Sequence, residues 1–399
     1  MNQNAFCKDI VDTIENVVRV EDQSGNILLH EPYFKDNNAL NYLKNCIDTA
    51  WVSTSGNWVM KFENKIKNIT GSKYAVAVSN GTVGLRLALF LVGVKEGNEV
   101  IVPPLTFIAT ANAVAHLNAY PHFVDIDKTT LGIDPDKLAL HLERIAEKKD
   151  GNVINKITGN KISAIVLVHV FGIPSRTKEI LNVANYWNLP LVEDAAEALG
   201  SKIENRSCGT FGSIGVFSFN GNKIVTTGGG GVLVTDDEHL AIQAKHLSTT
   251  AKVEDEDGNI YHDQIGWNDR LPNINAAIGF AQLEVLDKRI KFKRILARKY
   301  IDAFKSINKV KIIRERANGD LSNYWLITLI LDSDLKDIYL IRSRIIYLAR
   351  ERNIQLRPCW QLLHKTKMYS NCFKSNLENS ESTAKLLISM PSSPQLIMK

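Results

Sequence analysis

Several common protein classes are excluded by what this chain lacks. Its five cysteines (Cys7, Cys46, Cys208, Cys359 and Cys372) are odd in number, scattered, and form no CxxC pair or Cys/His cluster. That pattern argues against both a disulfide framework and a structural zinc site, predicts no metal, and fits a reducing cytoplasm. No window approaches the roughly 18 apolar residues that a membrane helix needs. The first twenty residues, MNQNAFCKDIVDTIENVVRV, carry acids throughout and do not read as a signal peptide. A formal charge of +5 is mild. It suits an anionic small molecule, but it falls short of the concentrated basic surface that argues for nucleic acid. Internal repeats and low-complexity segments are absent. What remains is a 399-residue chain with 45% apolar and 23% charged residues, long enough for a large core. It reads as soluble and cytoplasmic, with no membrane or nucleic-acid partner.

The usual phosphate loops are missing too. The stretch SFNGNKIVTTGGGG (218–231) sets Lys223 ahead of Gly228–Gly231. A Walker loop puts its glycines first and a Ser or Thr directly after the lysine, whereas Ile224 follows here. A dinucleotide fingerprint opens a helix, yet the glycine run leads into VLVT, which reads as a strand.

Short β-rich runs alternate with helical patterns through the first two thirds. YAVAVS (74–79), EVIVP (99–103), AIVLVHVFG (164–172) and LPLVED (189–194) are apolar runs separated by helix-forming stretches. Continuous apolar strands between helices predict a mostly parallel sheet covered on both faces, hence an α/β domain with ligands at the carboxyl ends of its strands. The character changes near residue 255, where EDEDGN reads as a polar, mobile loop. After it come long Lys/Arg-rich helices, the strand-like YWLITLILD (324–332) and the amphipathic DIYLIRSRIIYLARERN. Ile338, Ile341, Ile345 and Leu348 recur at helical spacing, so that stripe is core and the arginines are the wet face. The chain divides into an N-terminal extension (1–35), a large α/β domain (36–260) and a smaller C-terminal α+β domain (261–399).

Four stretches carry chemistry, each against an ordinary alternative. VFSFNGNK presents Lys223 from a turn after a strand; such a lysine can form a Schiff base with a carbonyl cofactor, or be a solvent lysine. LPLVEDAAEALG ends a strand in Glu193 and Asp194, a placement also common in metal and nucleotide sites. VSNGTVGLRLAL runs through Asn80, Gly81 and Thr82 into a helix whose free N–H groups suit phosphate, with Ser218 able to add a hydroxyl; its alternative is a plain N-capped turn. PPLTFIATANAV offers Phe107, a residue type more often found in the core. Pyridoxal phosphate requires this set together: a lysine for its aldehyde, a carboxylate for its ring nitrogen, a phosphate cradle and a flat group against its ring.

These motifs, together with YHDQIGWNDRLPNINAAIGFAQLE (261–284) and the late MPSSPQL, resemble the DegT–StrS family of pyridoxal-phosphate-dependent nucleotide-sugar aminotransferases over residues 40 to 395. The resemblance implies an aspartate-aminotransferase-like fold. It also implies that Lys223 bonds the cofactor and then moves the proton, and that Asp194 pairs with the pyridine nitrogen. By the same resemblance Glu197 touches the ring hydroxyl, Gly81, Thr82 and Ser218 hold the phosphate, and Phe107 stacks on the ring. Asn268, in GWNDR, resembles an asparagine donated across a homodimer interface to the neighbour's phosphate. The implied amino donor is L-glutamate, and the cofactor passes through pyridoxamine phosphate during turnover.

One departure stands out. Where the family most often reads Gly-Glu-Gly-Gly, this chain has four glycines, so Gly229 lacks a carboxylate. With WVSTSGNWVMKFE and RPCWQLLHK, this version resembles members of legionaminic-acid-type pathways, which aminate a nucleotide-linked 4-keto-6-deoxy-N-acetylhexosamine for a surface glycan. Other keto-sugar aminotransferases of perosamine or viosamine type are the nearest alternative. A non-catalytic sugar-nucleotide-binding protein on the same fold is a more distant one, although it needs no Lys223, Asp194 or Asn268. Dehydratase relatives have lost the lysine, and a Rossmann-type dehydrogenase needs a GxGxxG that is absent. Arg357, in an apolar LRPCW stretch, is a candidate for the substrate diphosphate, with a structural ion pair as its alternative. His169 reads as a hydrogen-bonded core histidine and is not assigned to catalysis.

Overall fold

The computed structural model describes residues 3–19, 25–35 and 37–396. Its main sheet runs, in spatial order, Tyr74–Val78, Gly231–Thr235, Ile214–Ser218, Leu191–Asp194, Lys161–Val168, Glu99–Val102 and Tyr120–Phe123. A hairpin of Ala146–Lys149 and Asn152–Asn155 adds two strands beside Lys161–Val168. Six strands of the main run point one way; Gly231–Thr235 alone opposes them, pairing antiparallel with both neighbours. Three of the apolar runs predicted from sequence lie inside the sheet, as the continuous burial of Leu191–Asp194 illustrates, while Tyr74–Val78 forms its edge with Tyr74 and Ala75 half-buried.

The direction of the lone reversed strand matters for the site. It starts where its neighbours end, so the glycine run arrives at the same sheet edge as Val78, Asp194 and Ser218. A Cβ on Gly231 would sit 2.6 Å from the backbone carbonyl carbon of Asn80. Only glycine lets this strand pass the turn that opens the Gly81–Leu91 helix.

The second sheet is antiparallel throughout, in the order Val310–Ile312, Ile327–Leu331, Leu387–Met390, Arg357–Pro358. The Ile338–Glu351 helix buries Ile338, Ile341 and Ile345, with Leu348 partly buried against the same core. Against it and the Leu286–Ala303 helix packs the N-terminal helix Gln3–Val18, which buries Phe6, Ile10 and Ile14. Residues 27–33 then run as a strap. The Leu29 carbonyl accepts from the Ser392 N–H at 2.8 Å, and the Tyr33 carbonyl accepts from Arg289 Nη2 at 2.7 Å. The Asn273–Glu284 helix packs on Ala39–Asp48 and Asn57–Thr70 beside the main sheet.

The polar EDEDGN stretch closes a hairpin whose arms, Lys252–Glu254 and Ile260–His262, pair antiparallel. Asp255 organises it: its carboxylate accepts from the backbone N–H groups of Asp257 and Asn259 and from the Asn259 amide. Such a carboxylate-anchored turn needs no apolar pattern, and every residue of the turn is exposed. Among the described residues no helix is long and apolar enough to cross a membrane.

Candidate active site

Strand ends and the first turn of one helix converge on a cavity of about 310 Å³ at the carboxyl edge of the main sheet. Gly81, Thr82, Phe107, Asp194, Glu197, Ser218, Lys223 and Arg357 all line it, as do Gly229 and Gly230. Eight residues singled out from sequence, spread over positions 81 to 357, therefore share one space. Asn268 does not. It is exposed on a separate segment, where it pairs with Thr249, and it lies outside this chain's cavity.

Each wall has a local cause. Asn80 caps the Gly81–Leu91 helix by accepting from the Val83 N–H at 2.9 Å. The ordinary capped turn and the anion-binding helix end are thus one structure: capping takes a later N–H and leaves the first ones facing the cavity wall. A Cβ on Gly81 would stand 2.9 Å from the Ser218 Cβ, so the glycine brings this helix end against the strand carrying Ser218. Phe107 remains 52% exposed at the rim, with Trp360 6.4 Å away centroid to centroid. Trp360 in turn stacks on Phe171 at 4.9 Å.

The floor is acidic. Asp194 is buried; its Oδ2 accepts from Thr110 Oγ1 at 2.7 Å and its Oδ1 from the Ala196 N–H at 3.2 Å. Glu197 is also buried, and its Oε2 accepts from the Phe171 N–H at 2.8 Å. Lys223 Nζ lies 3.3 Å from Glu197 Oε1 and 3.9 Å from the centre of the Trp325 ring. Burial pushes both carboxyl groups above their ordinary range, more strongly than the lysine and the hydrogen bonds pull them down.

Behind the floor sits His169, fully buried and bonded at both ring nitrogens. Its Nδ1 accepts from the Ser175 N–H at 3.1 Å, so Nε2 carries the hydrogen and donates to Glu193 Oε2 at 3.1 Å. Glu193 also accepts from the N–H groups of Gly209 and Gly212, at 2.9 and 2.7 Å. Both residues hold the strand end in place without facing the cavity. Arg357 makes no ion pair and no side-chain hydrogen bond among the described residues, although a structural pair was its ordinary alternative.

The DegT/DnrJ/EryC1/StrS aminotransferase family profile matches residues 34–399. The chain belongs to this family. It is similar to a GDP-perosamine synthase of Escherichia coli O157:H7, with 37% identity over 355 residues, 89% of this chain and 90% of that protein. It is also 37% identical over 328 residues to the putative pyridoxal phosphate-dependent aminotransferase EpsN of Bacillus subtilis, covering 82% of this chain and 80% of the relative. A solved DegT DnrJ EryC1 StrS aminotransferase from Brucella abortus superposes with a TM-score of 0.79 at 27% identity, over 90% of this chain and 91% of that one. The chain is therefore a pyridoxal-phosphate-dependent sugar aminotransferase.

The residues present suit that cofactor. Two buried carboxyl groups face one ammonium, so the floor carries more acid than the chain itself neutralises, and a protonated pyridine nitrogen is the complement it lacks. Sequence reasoning missed Thr110, Trp325 and Trp360 at this site. Thr110 lies within a stretch that had already been quoted for Phe107, and a hydroxyl one helical turn beyond that ring was the available signal. The two tryptophans come from segments next to the strands of the second sheet, and nothing local links them to a cavity at the edge of the main sheet.

Proposed function

We propose that this enzyme transfers the amino group of L-glutamate to C4 of a nucleotide-linked 4-keto-6-deoxy-N-acetylhexosamine, in the cytoplasm, for a surface glycan. The observation that carries the reading is the convergence of Lys223, Asp194 and Glu197 at the foot of a cavity whose far wall is a helix N-terminus. In it Asp194 would meet the ring nitrogen of pyridoxal phosphate, Glu197 the ring hydroxyl, and Phe107 the ring. Gly81, Thr82 and Ser218 hold the phosphate, and the unpaired guanidinium of Arg357 meets the sugar nucleotide's diphosphate, which it is shaped to bind with two parallel N–H donors. When bound, pyridoxal phosphate supplies an aldehyde that takes up an amino group and a ring that draws electrons from the carbon bearing it. Lys223 Nζ is then the group that takes and returns the proton, with Glu197 as its resting partner. A cytoplasmic setting agrees with five unpaired cysteines.

The name of the Escherichia coli relative favours a second substrate, a GDP-linked 4-keto-6-deoxyhexose without the N-acetyl group. Purified enzyme given L-glutamate and each keto-sugar nucleotide in turn distinguishes them by mass spectrometry of the aminated product. Turnover of the N-acetylated sugar at a kcat/KM about 100-fold above its rival is expected, the scale on which a pocket discriminates between substrates that differ by one small group. The reverse preference overturns the first reading in favour of the second.

We also infer a homodimer in which Asn268 reaches the neighbouring site. Its exposure supports this, as does the exposed apolar surface of the 39–60 region, where Trp51 is 56%, Met60 57% and Leu40 79% exposed. Lys223→Ala and Asn268→Ala homodimers, each inactive alone, are expected to regain about a quarter of wild-type activity after subunit mixing, because half the dimers then hold one intact site. No recovery on mixing, with heterodimers demonstrated, removes Asn268 from the neighbour's site.

A further inference from the structure

The turn Ser322–Trp325 enters the small domain's sheet directly beside Lys223. Tyr324 has φ 49°, left-handed backbone that a bulky side chain seldom adopts. Three hydrogen bonds hold the turn in that shape: Tyr324 N–H to Ser322 Oγ, and Trp325 N–H to Asn323 Oδ1, at 2.9 and 2.8 Å, with Asn323 N–H to Ser201 Oγ at 2.9 Å. So shaped, the turn grips two segments of the site, the one that carries Glu197 and the one that carries Lys223. Asn323 Nδ2 donates to the carbonyls of Glu197 and Leu199, both at 2.9 Å. Trp325 Nε1 donates to the carbonyl of Asn222, the residue before Lys223, at 2.7 Å. The approach is close: a Cβ on Gly172 would come within 2.0 Å of Asn323 Oδ1.

Trp325 thus makes two separate contacts with the lysine. Its N–H fixes the backbone from which Lys223 springs, and its ring face lies 3.9 Å from Nζ, the nitrogen that also stands 3.3 Å from Glu197 Oε1. Taking Lys223 as the reactive lysine, as proposed above, we propose that Trp325 is a positioning residue that parks Lys223 whenever its amine carries no bond to the cofactor. A free lysine side chain has four rotatable bonds and would otherwise sample positions out of reach of the carbon it must serve. The π face attracts the protonated amine, so the proton-bearing lysine waits between ring and carboxylate rather than swinging into the sugar's space. That situation arises before the cofactor is captured, and again during turnover, from the moment the donor amine would displace the lysine until the lysine releases the product.

Trp325→Phe keeps a ring face and loses the N–H; Trp325→Leu loses both. The full-length chain, freed of cofactor, is mixed with pyridoxal phosphate and quenched with borohydride at set times. Capture is then read by intact mass and located by peptide mapping. Capture at Lys223 is expected to slow about threefold in the Phe variant and about tenfold in the Leu variant, the scale of a partly desolvated cation–π contact plus one hydrogen bond. Turnover should follow the same order in kcat, with KM for L-glutamate within about twofold of wild type. The proposal is overturned if both variants capture and turn over at the wild-type rate. It is also overturned if the losses track a lowered melting temperature and vanish when the assay is cooled. A wild-type chain trapped on a different lysine overturns it by another route, because the Lys223 assignment itself then fails.

Discussion

Replacing Lys223 by alanine is expected to leave a folded chain whose amino transfer falls by at least about 10⁴-fold, the upper range for loss of a positioned acid/base group. Two functions disappear with one side chain: the amine that bonds the cofactor and the carrier of the proton. No neighbour replaces it. Among the described residues the cations that line the cavity are Lys223 and Arg357, and a guanidinium does not lose its proton in the working range. The substitution also strips Glu197 of its ammonium partner at 3.3 Å. Already raised by burial, that carboxyl then takes up a proton more readily. The check is the visible spectrum of the purified protein with pyridoxal phosphate, then with L-glutamate. Wild type should show a cofactor band that bleaches with the donor, and the variant should show neither the shifted band nor the bleaching. A Lys223→Ala enzyme turning over within about tenfold of wild type would remove the lysine from its role.

The lysine, the acids and the helix end were legible because each is announced locally. An apolar run ending in Glu193-Asp194, or a strand meeting Asn80-Gly81-Thr82, carries its position in its own few residues. Relations between distant segments were not legible in that way. Gly231–Thr235 reads as a strand, but a continuous apolar run says nothing of direction, and it is direction that brings four glycines to the site's edge. Trp325 belongs to YWLITLILD, where an aromatic residue at the head of an apolar strand looks like core. Its burial at 2% exposure agrees with that reading, and its contact with Lys223 depends on the left-handed turn at Tyr324, which nothing in the tripeptide Asn-Tyr-Trp signals. Arg357 shows the converse. Beside a proline at a strand start an ion pair was the ordinary expectation, yet no acid stands opposite it, since its strand pairs with Ser389 and Ile388 in an apolar sheet.

Asp194→Asn is expected to lower turnover by about 10³-fold, the upper end for loss of one preorganised electrostatic partner, while making the cofactor-free chain more resistant to heat at neutral pH. The two effects have one cause. Burial raises the folded-state carboxyl above its ordinary value of 3.8, so between that value and the raised one the native chain binds more protons than the unfolded chain. Stability therefore falls as pH rises through this window, and the full cost is present above it. Asparagine keeps the shape and the acceptor for Thr110 and gives up only the long 3.2 Å bond from the Ala196 N–H; it has no charge to desolvate, so the larger cost is removed. Melting curves of both cofactor-free proteins should separate near pH 7, with the variant higher, and converge as pH falls below 3.8. Glu197 adds to the difference in the same direction, because the Asp194 charge is one of the causes that push that carboxyl up and the variant removes it. Adding pyridoxal phosphate should reverse the ranking. A ligand stabilises in proportion to its affinity for the folded state, and only the wild type offers its protonated ring nitrogen an opposite charge. A variant that melts lower at every pH would make Asp194 a structural acid, whereas one that gains as much from the cofactor as wild type would place the ring nitrogen elsewhere.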